Sequence, residues 1–239
     1  MRTLLSRCAV GFACIAPMQA RADNWLASIA QYRSDIIYQS IQQMTMVAIA
    51  GGLAIVVAVP LGVYLSREWV KQGRVGQAVL QTLNMGQAVP KLALLALAMS
   101  VLGIGHWPSI FALWVATLLP IVLNTLEGLR AVPRALIEAA TGMGMTPRQV
   151  LLRVELPNAL YVIFAGIRTA LAITVGTAPL AFLVGGGGLG ELIFTGIDMN
   201  DFSMLLAGAI PTAVLAVLTD VLVGQMQAHL VSRGVTPQR

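Results

Sequence analysis

Long apolar stretches separated by short polar loops restrict the folds open to this chain more than any other feature of its sequence. A helix that crosses the hydrocarbon core of a bilayer needs about 20 mostly apolar residues, and it satisfies its backbone hydrogen bonds internally. Five stretches approach this length, so the sequence predicts an all-α, polytopic membrane protein with about five transmembrane helices. The stretches are residues 41–65, 89–102, 110–126, 160–184 and 205–223, of which the second is the weakest.

The composition supports a membrane location and excludes several other classes of protein. Only 10% of the 239 residues are charged and the mean hydropathy is +0.81, whereas soluble domains carry about 25% charged residues. The net charge of +5 comes mainly from scattered arginines without interleaved aromatic residues, which predicts no nucleic-acid binding. No cluster of His, Cys and carboxylate residues has the spacing of a metal site, and no phosphate-binding loop is present.

The basic residues between the apolar stretches predict the orientation of the chain, because Lys and Arg are enriched in short cytoplasmic loops. Loops without Lys or Arg alternate with basic ones, so we expect the N-terminus outside and the C-terminus inside. The basic residues assigned to the cytoplasmic side are Arg67, Lys71, Arg74, Arg130, Arg134, Arg148, Arg153, Arg233 and Arg239.

The ends of the chain divide into short segments around one membrane domain. Residues 1–22 contain an apolar run of signal-peptide length and are interpreted as a signal peptide, or alternatively as an uncleaved amphipathic extension on the membrane. Residues 23–35 are then an extracytoplasmic segment. Residues 36–228 form the membrane domain, and residues 229–239 a cytoplasmic tail.

A polar segment, residues 131–157, lies between the third and fourth stretches and is predicted to form a helix, a glycine turn and a second helix. Pro133 is suited to the start of the first helix, which continues through Thr141. Gly142 and Gly144 then break it. This helical pattern distinguishes the polar segment from a loose loop.

The second helix of the polar segment has its own start and stop signals. Thr146 is suited to the N-cap, Pro147 occupies the first helical position, and Gln149 completes a capping box. Pro157 is expected to end this helix. The side chains expected to pack back on the membrane spans are those of Val150, Leu151 and Val154.

The spacing of residues in the polar segment resembles the characteristic loop of ABC importer permeases. Glu138, Ala139 and Ala140 are followed by Gly144 after three residues, and the pattern closes with Leu156 and Pro157. The resemblance implies a type I importer permease fold, in which residues 131–157 form a coupling helix that docks on a cytoplasmic dimer of ABC ATPases. It also implies that Glu138 anchors the docking element and that Gly144 supplies a tight turn.

The same resemblance sets expectations about chemistry. ATP and Mg²⁺ would bind the partner ATPase, and no cofactor is expected in this chain, which is a transport permease rather than an enzyme. The competing interpretation of the polar segment is a surface helix pair without a partner.

Four further stretches resemble the permeases of osmoprotectant importers, which carry glycine betaine, carnitine or choline. They are residues 59–63, 142–145, 165–169 and 185–190. Lys91 departs from this resemblance, because a small polar residue is expected there. The resemblance implies a bacterial inner-membrane location, a second permease subunit (identical or paralogous) and a periplasmic substrate-binding protein. An importer of another small solute, such as an amino acid, remains the alternative.

Polar residues in and near the spans form another group of candidates. Arg168 and Asp220 lie at comparable depth and are expected to pair, holding helices together rather than contacting solute. The glycine run at 185–190 is expected to form a flexible turn, and His106 a solvated interface residue.

Two other classes of membrane protein fit the sequence less well. An intramembrane enzyme would need a nucleophile or metal ligands within the spans, and none is arranged there. A passive channel would work without an ATPase, so the loss of uptake in an ATPase knock-out would exclude it.

Overall fold

A computed structural model describes residues 30–67 and 74–230 of the chain, and every regular element in these ranges is helical. The predicted signal peptide and most of the predicted tail lie outside the described residues. The helices are α1 Arg33–Leu65, α2 Arg74–Ala88, α3 Lys91–Leu102, α4 His106–Arg130, α5 Arg134–Gly142, α6 Pro147–Val150, α7 Leu156–Thr177, α8 Gly190–Asp198 and α9 Phe202–Leu230. A π-helical stretch, Leu151–Glu155, joins α6 to α7, and a 3₁₀ stretch, Ala178–Val184, follows α7.

Within these residues, four helical segments are long and apolar enough to cross a membrane: Arg33–Leu65, His106–Arg130, Pro147–Val184 and Phe202–Leu230. They contain the first, third, fourth and fifth predicted stretches. The second predicted stretch corresponds to α3, whose 12 residues span about 18 Å and are too short to cross the hydrocarbon core alone.

Side-chain contacts at the two ends of the bundle show that α1 and α7 run in opposite directions. At one end, Gln43 of α1 contacts the carbonyl of Val175 near the end of α7. At the other end, Arg67 beyond α1 contacts Glu155 just before α7. We call the first the glycine-loop end, because residues 185–190 (the glycine loop) lie there, and the second the polar-segment end.

Helix α4 is central to the bundle, since α1, α3 and α7 all pack against it. Its residues Ile121, Val122 and Leu126 are almost completely buried in the largest apolar cluster. Small residues permit the close approach of neighbouring helices: a Cβ atom at Gly62 would lie 2.6 Å from Cβ of Thr125. Small residues at helix contacts are typical of membrane proteins, where packing rather than hydrophobicity drives association.

The polar segment continues into the fourth span without a break, so the prediction that Pro157 ends a helix is wrong. Pro157 instead lies in the first turn of α7. Proline lacks an N–H and its ring clashes with the carbonyl four residues earlier in a regular α-helix, so the helix can continue only where that turn is altered. The π-helical stretch widens the preceding turn, and the Asn158 side chain donates a 2.7 Å hydrogen bond to the carbonyl of Val154.

Candidate functional site

The turn of the polar segment depends on Gly144, whose φ of +82° lies in the left-handed region. The N–H of Gly144 donates to the carbonyl of Thr141 at 2.9 Å, and the N–H of Met145 donates to that of Ala140 at 3.2 Å. These two bonds form a Schellman motif, which satisfies carbonyls at the end of α5. A Cβ atom at Gly144 would meet nothing within 4 Å, so the backbone conformation alone favours glycine here.

The predicted capping box of the second helix is present. The N–H of Thr146 donates to Oε1 of Gln149 at 2.9 Å, and the N–H of Gln149 donates to Oγ1 of Thr146 at 3.4 Å. Pro147 occupies the first turn. The capping box thus fixes the point at which the chain becomes helical again after the Gly144 turn.

One face of the polar segment packs against the bundle. Ala140 and Val150 are buried, and Ile137 and Leu151 pack against the largest apolar cluster. Leu156 packs against the same cluster from the start of α7. The predicted packing of Leu151 on the spans is confirmed, and Val150 is buried.

The opposite face of the polar segment is exposed. Glu138 and Ala139 are both exposed, and Glu138 makes no hydrogen bond or ion pair in the part of the chain that the structure describes. Met143 beside them is 73% exposed. This face offers an unpaired carboxylate within a partly apolar surface.

The residues of the predicted coupling pattern therefore separate into two groups. One group lies on the open surface, and the other holds the polar segment to the bundle or joins it to α7. The open group comprises Glu138, Ala139 and Gly144, and the second comprises Ala140, Leu156 and Pro157.

An ion pair that the sequence analysis missed fixes the polar segment to the end of α1. Nη2 of Arg67 lies 2.6 Å from Oε2 of Glu155, and the two side chains are 29% and 13% exposed. Arg67 also donates to Oγ of Ser66. A cleft of about 500 Å³ adjoins this pair, and Arg130 and Arg134 contribute to its lining.

The predicted pairing of Arg168 with Asp220 is confirmed. Nε and Nη2 of Arg168 donate to the two carboxylate oxygens of Asp220, so the pair is bidentate and joins α7 to α9. The side chains are 42% and 34% exposed. Gln227 joins the same two helices by donating to the carbonyl of Tyr161 at 3.1 Å.

Glutamines of α1 hold the glycine loop, which the sequence analysis expected to be a flexible turn. The N–H groups of Gly188 and Leu189 donate to Oε1 of Gln42 and Gln43, at 3.0 and 3.2 Å. Gly188 has a φ of +85°. The loop is therefore anchored by specific side chains. Glycine at position 188 permits the left-handed backbone conformation there.

The neighbours of these glutamines complete the anchor. Gln43 is completely buried and also donates to the carbonyl of Val175, and Gln39 donates to Glu191 at 3.1 Å. His106 is exposed, as expected, but it also contacts Gln42 across 2.6 Å. Three amides on one face of an apolar helix are the sequence signal that could have revealed this arrangement.

Another polar cluster lies between α3, α4 and α7. Nζ of Lys91 donates to Oγ1 of Thr177 at 3.1 Å. One turn earlier in α7, the buried hydroxyls of Thr117 and Thr174 are 2.8 Å apart. A cavity of about 210 Å³ adjoins the cluster, and Lys91 and Thr174 both line it.

The apolar helical bundle with a packed polar segment at one end is the arrangement expected of a membrane permease subunit, and comparison with known proteins identifies its family. The family model of the inner-membrane component of binding-protein-dependent transport systems matches residues 58–233. The chain belongs to this family and is the permease of an ABC importer.

Individual relatives lie within the same family. The osmoprotectant import permease protein OsmY of Salmonella typhimurium is 45% identical over 225 residues, which cover 93% of this chain and 94% of the relative. The carnitine transport permease protein OpuCD of Listeria monocytogenes is 46% identical over 178 residues, which cover 74% and 78%.

A solved structure supports the fold. The MetNI methionine ABC transporter in an inward-facing crystal form matches with a TM-score of 0.71, over 82% of this chain and 97% of the matched chain. The sequences are 23% identical, so this likeness concerns the fold and not the solute.

Proposed function

We propose that this permease forms the path for an osmoprotectant with a quaternary ammonium group, such as glycine betaine, carnitine or choline. The main support is the similarity to OsmY and OpuCD, whose names give osmoprotectants and carnitine as their solutes. The motifs at residues 59–63, 165–169 and 185–190 favour the same class. A second permease subunit, identical or paralogous, would complete the path, and a periplasmic binding protein would deliver the solute.

The polar segment is the proposed coupling element. Its exposed face presents Glu138 without a partner, next to Ala139 and Met143, and such a face is suited to a groove on another protein. A cytoplasmic dimer of ABC ATPases would occupy it and would bind ATP and Mg²⁺. Because the inner face packs on the bundle through Ile137 and Leu151, a push on the segment would reach the spans.

The proposed orientation places the polar-segment end in the cytoplasm of a bacterium, with the permease in the inner membrane. Described arginines at this end are Arg67, Arg130, Arg134, Arg148 and Arg153, whereas the α8 region at the other end carries Glu191, Asp198 and Asp201. This asymmetry follows the positive-inside rule. The N-terminal segment, residues 23–35, would then lie outside and the tail, residues 229–239, inside.

Uptake measurements test the solute. Cells with and without this gene are grown under salt stress, and the entry of radiolabelled glycine betaine, carnitine, choline and methionine is compared. We expect loss of at least one of the first three and unchanged methionine uptake. A change in methionine uptake alone would show that the solute class is wrong while the permease assignment stands.

A pair of matched variants tests the coupling element. Glu138→Gln removes the exposed carboxylate of the polar segment, and Asp198→Asn removes an exposed carboxylate at the opposite end. We expect only Glu138→Gln to reduce co-purification of the ATPase and the ATP hydrolysis that the loaded binding protein stimulates. Equal behaviour of the two variants would contradict a docking role for Glu138.

A further inference from the structure

Lys91 is a charged residue inside the apolar part of the described bundle. It is the first residue of α3, and Leu102 at the other end of that helix is roughly 16 Å away at 1.5 Å per residue. Lys91 therefore lies about 16 Å from the end of α3 that adjoins the glycine loop, within an apolar helical bundle. Ionisable residues at such a depth are costly and face the bundle interior or a water-filled cavity.

The neighbours of Lys91 leave its charge unmatched. Its ammonium donates to Oγ1 of Thr177, which accounts for one of its three donors. In the part of the chain that the structure describes, Lys91 makes no ion pair with a carboxylate. Arg168 differs, because Asp220 neutralises it.

Lys91 lines a cavity of about 210 Å³ between α2, α3, α4 and α7. Gln87 and the buried Thr174 add polar groups to its lining, and Leu119, Ala170 and Ile173 form its apolar wall. Gln87 and Ile173 are also exposed, so the cavity opens at the surface of the subunit. A polar opening at this depth fits a water-filled path and not contact with lipid.

From this geometry we infer that Lys91, which Thr177 holds in place, forms a site for the anionic group of the solute, which makes this path selective for zwitterions. The inference rests on the proposed function. A carboxylate beside the two remaining N–H donors of the ammonium would accept charge-assisted hydrogen bonds from them. A quaternary ammonium group, which has no hydrogen-bond donor, would lie against the apolar wall. Choline carries the cation without an anion, so Lys91 would repel it and offer it no compensating contact.

A cysteine variant and chemical rescue test the inference in the complete transporter, reconstituted in proteoliposomes with its ATPase and binding protein. Lys91→Cys is made with Cys8→Ser and Cys14→Ser, so that residue 91 carries the single thiol of this chain. Loss of one charge-assisted hydrogen bond predicts a fall of about tenfold or more in glycine betaine uptake. An aminoethyl thiosulfonate reagent, which restores a primary ammonium, should recover it, whereas a methyl reagent should not.

Two readouts separate a solute site from a structural role. Wild-type uptake of betaine, carnitine and choline is compared at concentrations that saturate the binding protein. A solute that the binding protein does not bind is excluded from the comparison. We expect choline uptake to be the slowest. ATP hydrolysis stimulated by the loaded binding protein should change little in Lys91→Cys. Unchanged betaine uptake in Lys91→Cys, or absence of rescue by the ammonium reagent, would overturn the inference. Failure of the wild type to move any of the three solutes would instead refute the proposed function.

Discussion

Arg67 and Glu155 are 88 residues apart in the chain, yet Nη2 of Arg67 lies 2.6 Å from Oε2 of Glu155. The contact joins the end of α1 to the π-helical stretch that leads into α7. It therefore ties the first span to the base of the polar segment. The polar segment is therefore attached to the bundle at two places: through α4, which precedes it in the chain, and through this ion pair to the end of α1.

We expect Glu155→Gln to destabilise the protein, because it leaves the charge of Arg67 mostly buried without its counter-ion. Hydrogen bonds to charged groups contribute about 1.5–3 kcal/mol, which corresponds to a fall of several degrees in Tm for a chain of this size. The measurement is thermal unfolding in detergent. Combining Glu155→Met with Arg67→Met should recover part of the loss, since no unpaired charge remains. Strict additivity of the two single effects would contradict the pairing.

Gly144→Ala should strain the turn of the polar segment, because φ is +82° at that position. A left-handed conformation costs about 1–2 kcal/mol for a residue with a Cβ atom. Solute uptake should fall as the second helix loses its fixed direction. Gly142→Ala is the matched control, since Gly142 ends α5 with ordinary helical geometry and open space around it. If both alanines reduced uptake equally, the left-handed turn would not be the cause.

Arg168→Met should lower the amount of folded permease in the membrane, because it leaves the carboxylate of Asp220 without its bidentate partner. Adding Asp220→Met should raise the yield again, since it removes the unpaired charge. Yield and uptake per folded molecule are measured separately. Normal yield with abolished uptake in Arg168→Met would show that Arg168 contacts the solute, against our interpretation.

Gln43→Met should loosen the glycine loop, because the completely buried amide bonds the N–H of Leu189 and the carbonyl of Val175. A buried donor left unpaired costs about 1–3 kcal/mol. Gln42→Met should have a smaller effect, since Gln42 is partly exposed and water can replace it. Amide hydrogen exchange at residues 185–190 is the measurement. Equal protection in wild type and Gln43→Met would disprove the anchor.

Local signals in the sequence predicted local structure well. The Thr146 and Gln149 capping box and the Gly144 turn depend on residues three to five positions apart, so their chemistry could be read directly. The Arg168 and Asp220 pair could also be predicted, because isolated charges inside apolar spans need partners. The family resemblance of the polar segment led to the correct family.

The missed features depend on contacts between distant parts of the chain. Arg67 could be interpreted as a marker of orientation, and nothing in its own surroundings indicates Glu155. Gln43 bonds groups 132 and 146 residues away, so its role required the folded bundle. Pro157 was misread because a proline usually ends a helix, whereas a π-helical turn before it lets α7 continue.

The unbroken helical path from Pro147 to Val184 can act as a lever. Gly166 of α7 crosses α4 so closely that a Cβ atom there would overlap Asn124, and this crossing is the natural fulcrum. Val150 is then about 24 Å from the fulcrum and Thr177 about 16 Å on the other side, at 1.5 Å per residue. A displacement of Val150 would then swing Thr177 in the opposite direction by about two thirds of that distance. Such a swing would move the Thr177 hydroxyl relative to Lys91, so a displacement of the polar segment would act directly on the contact that positions Lys91.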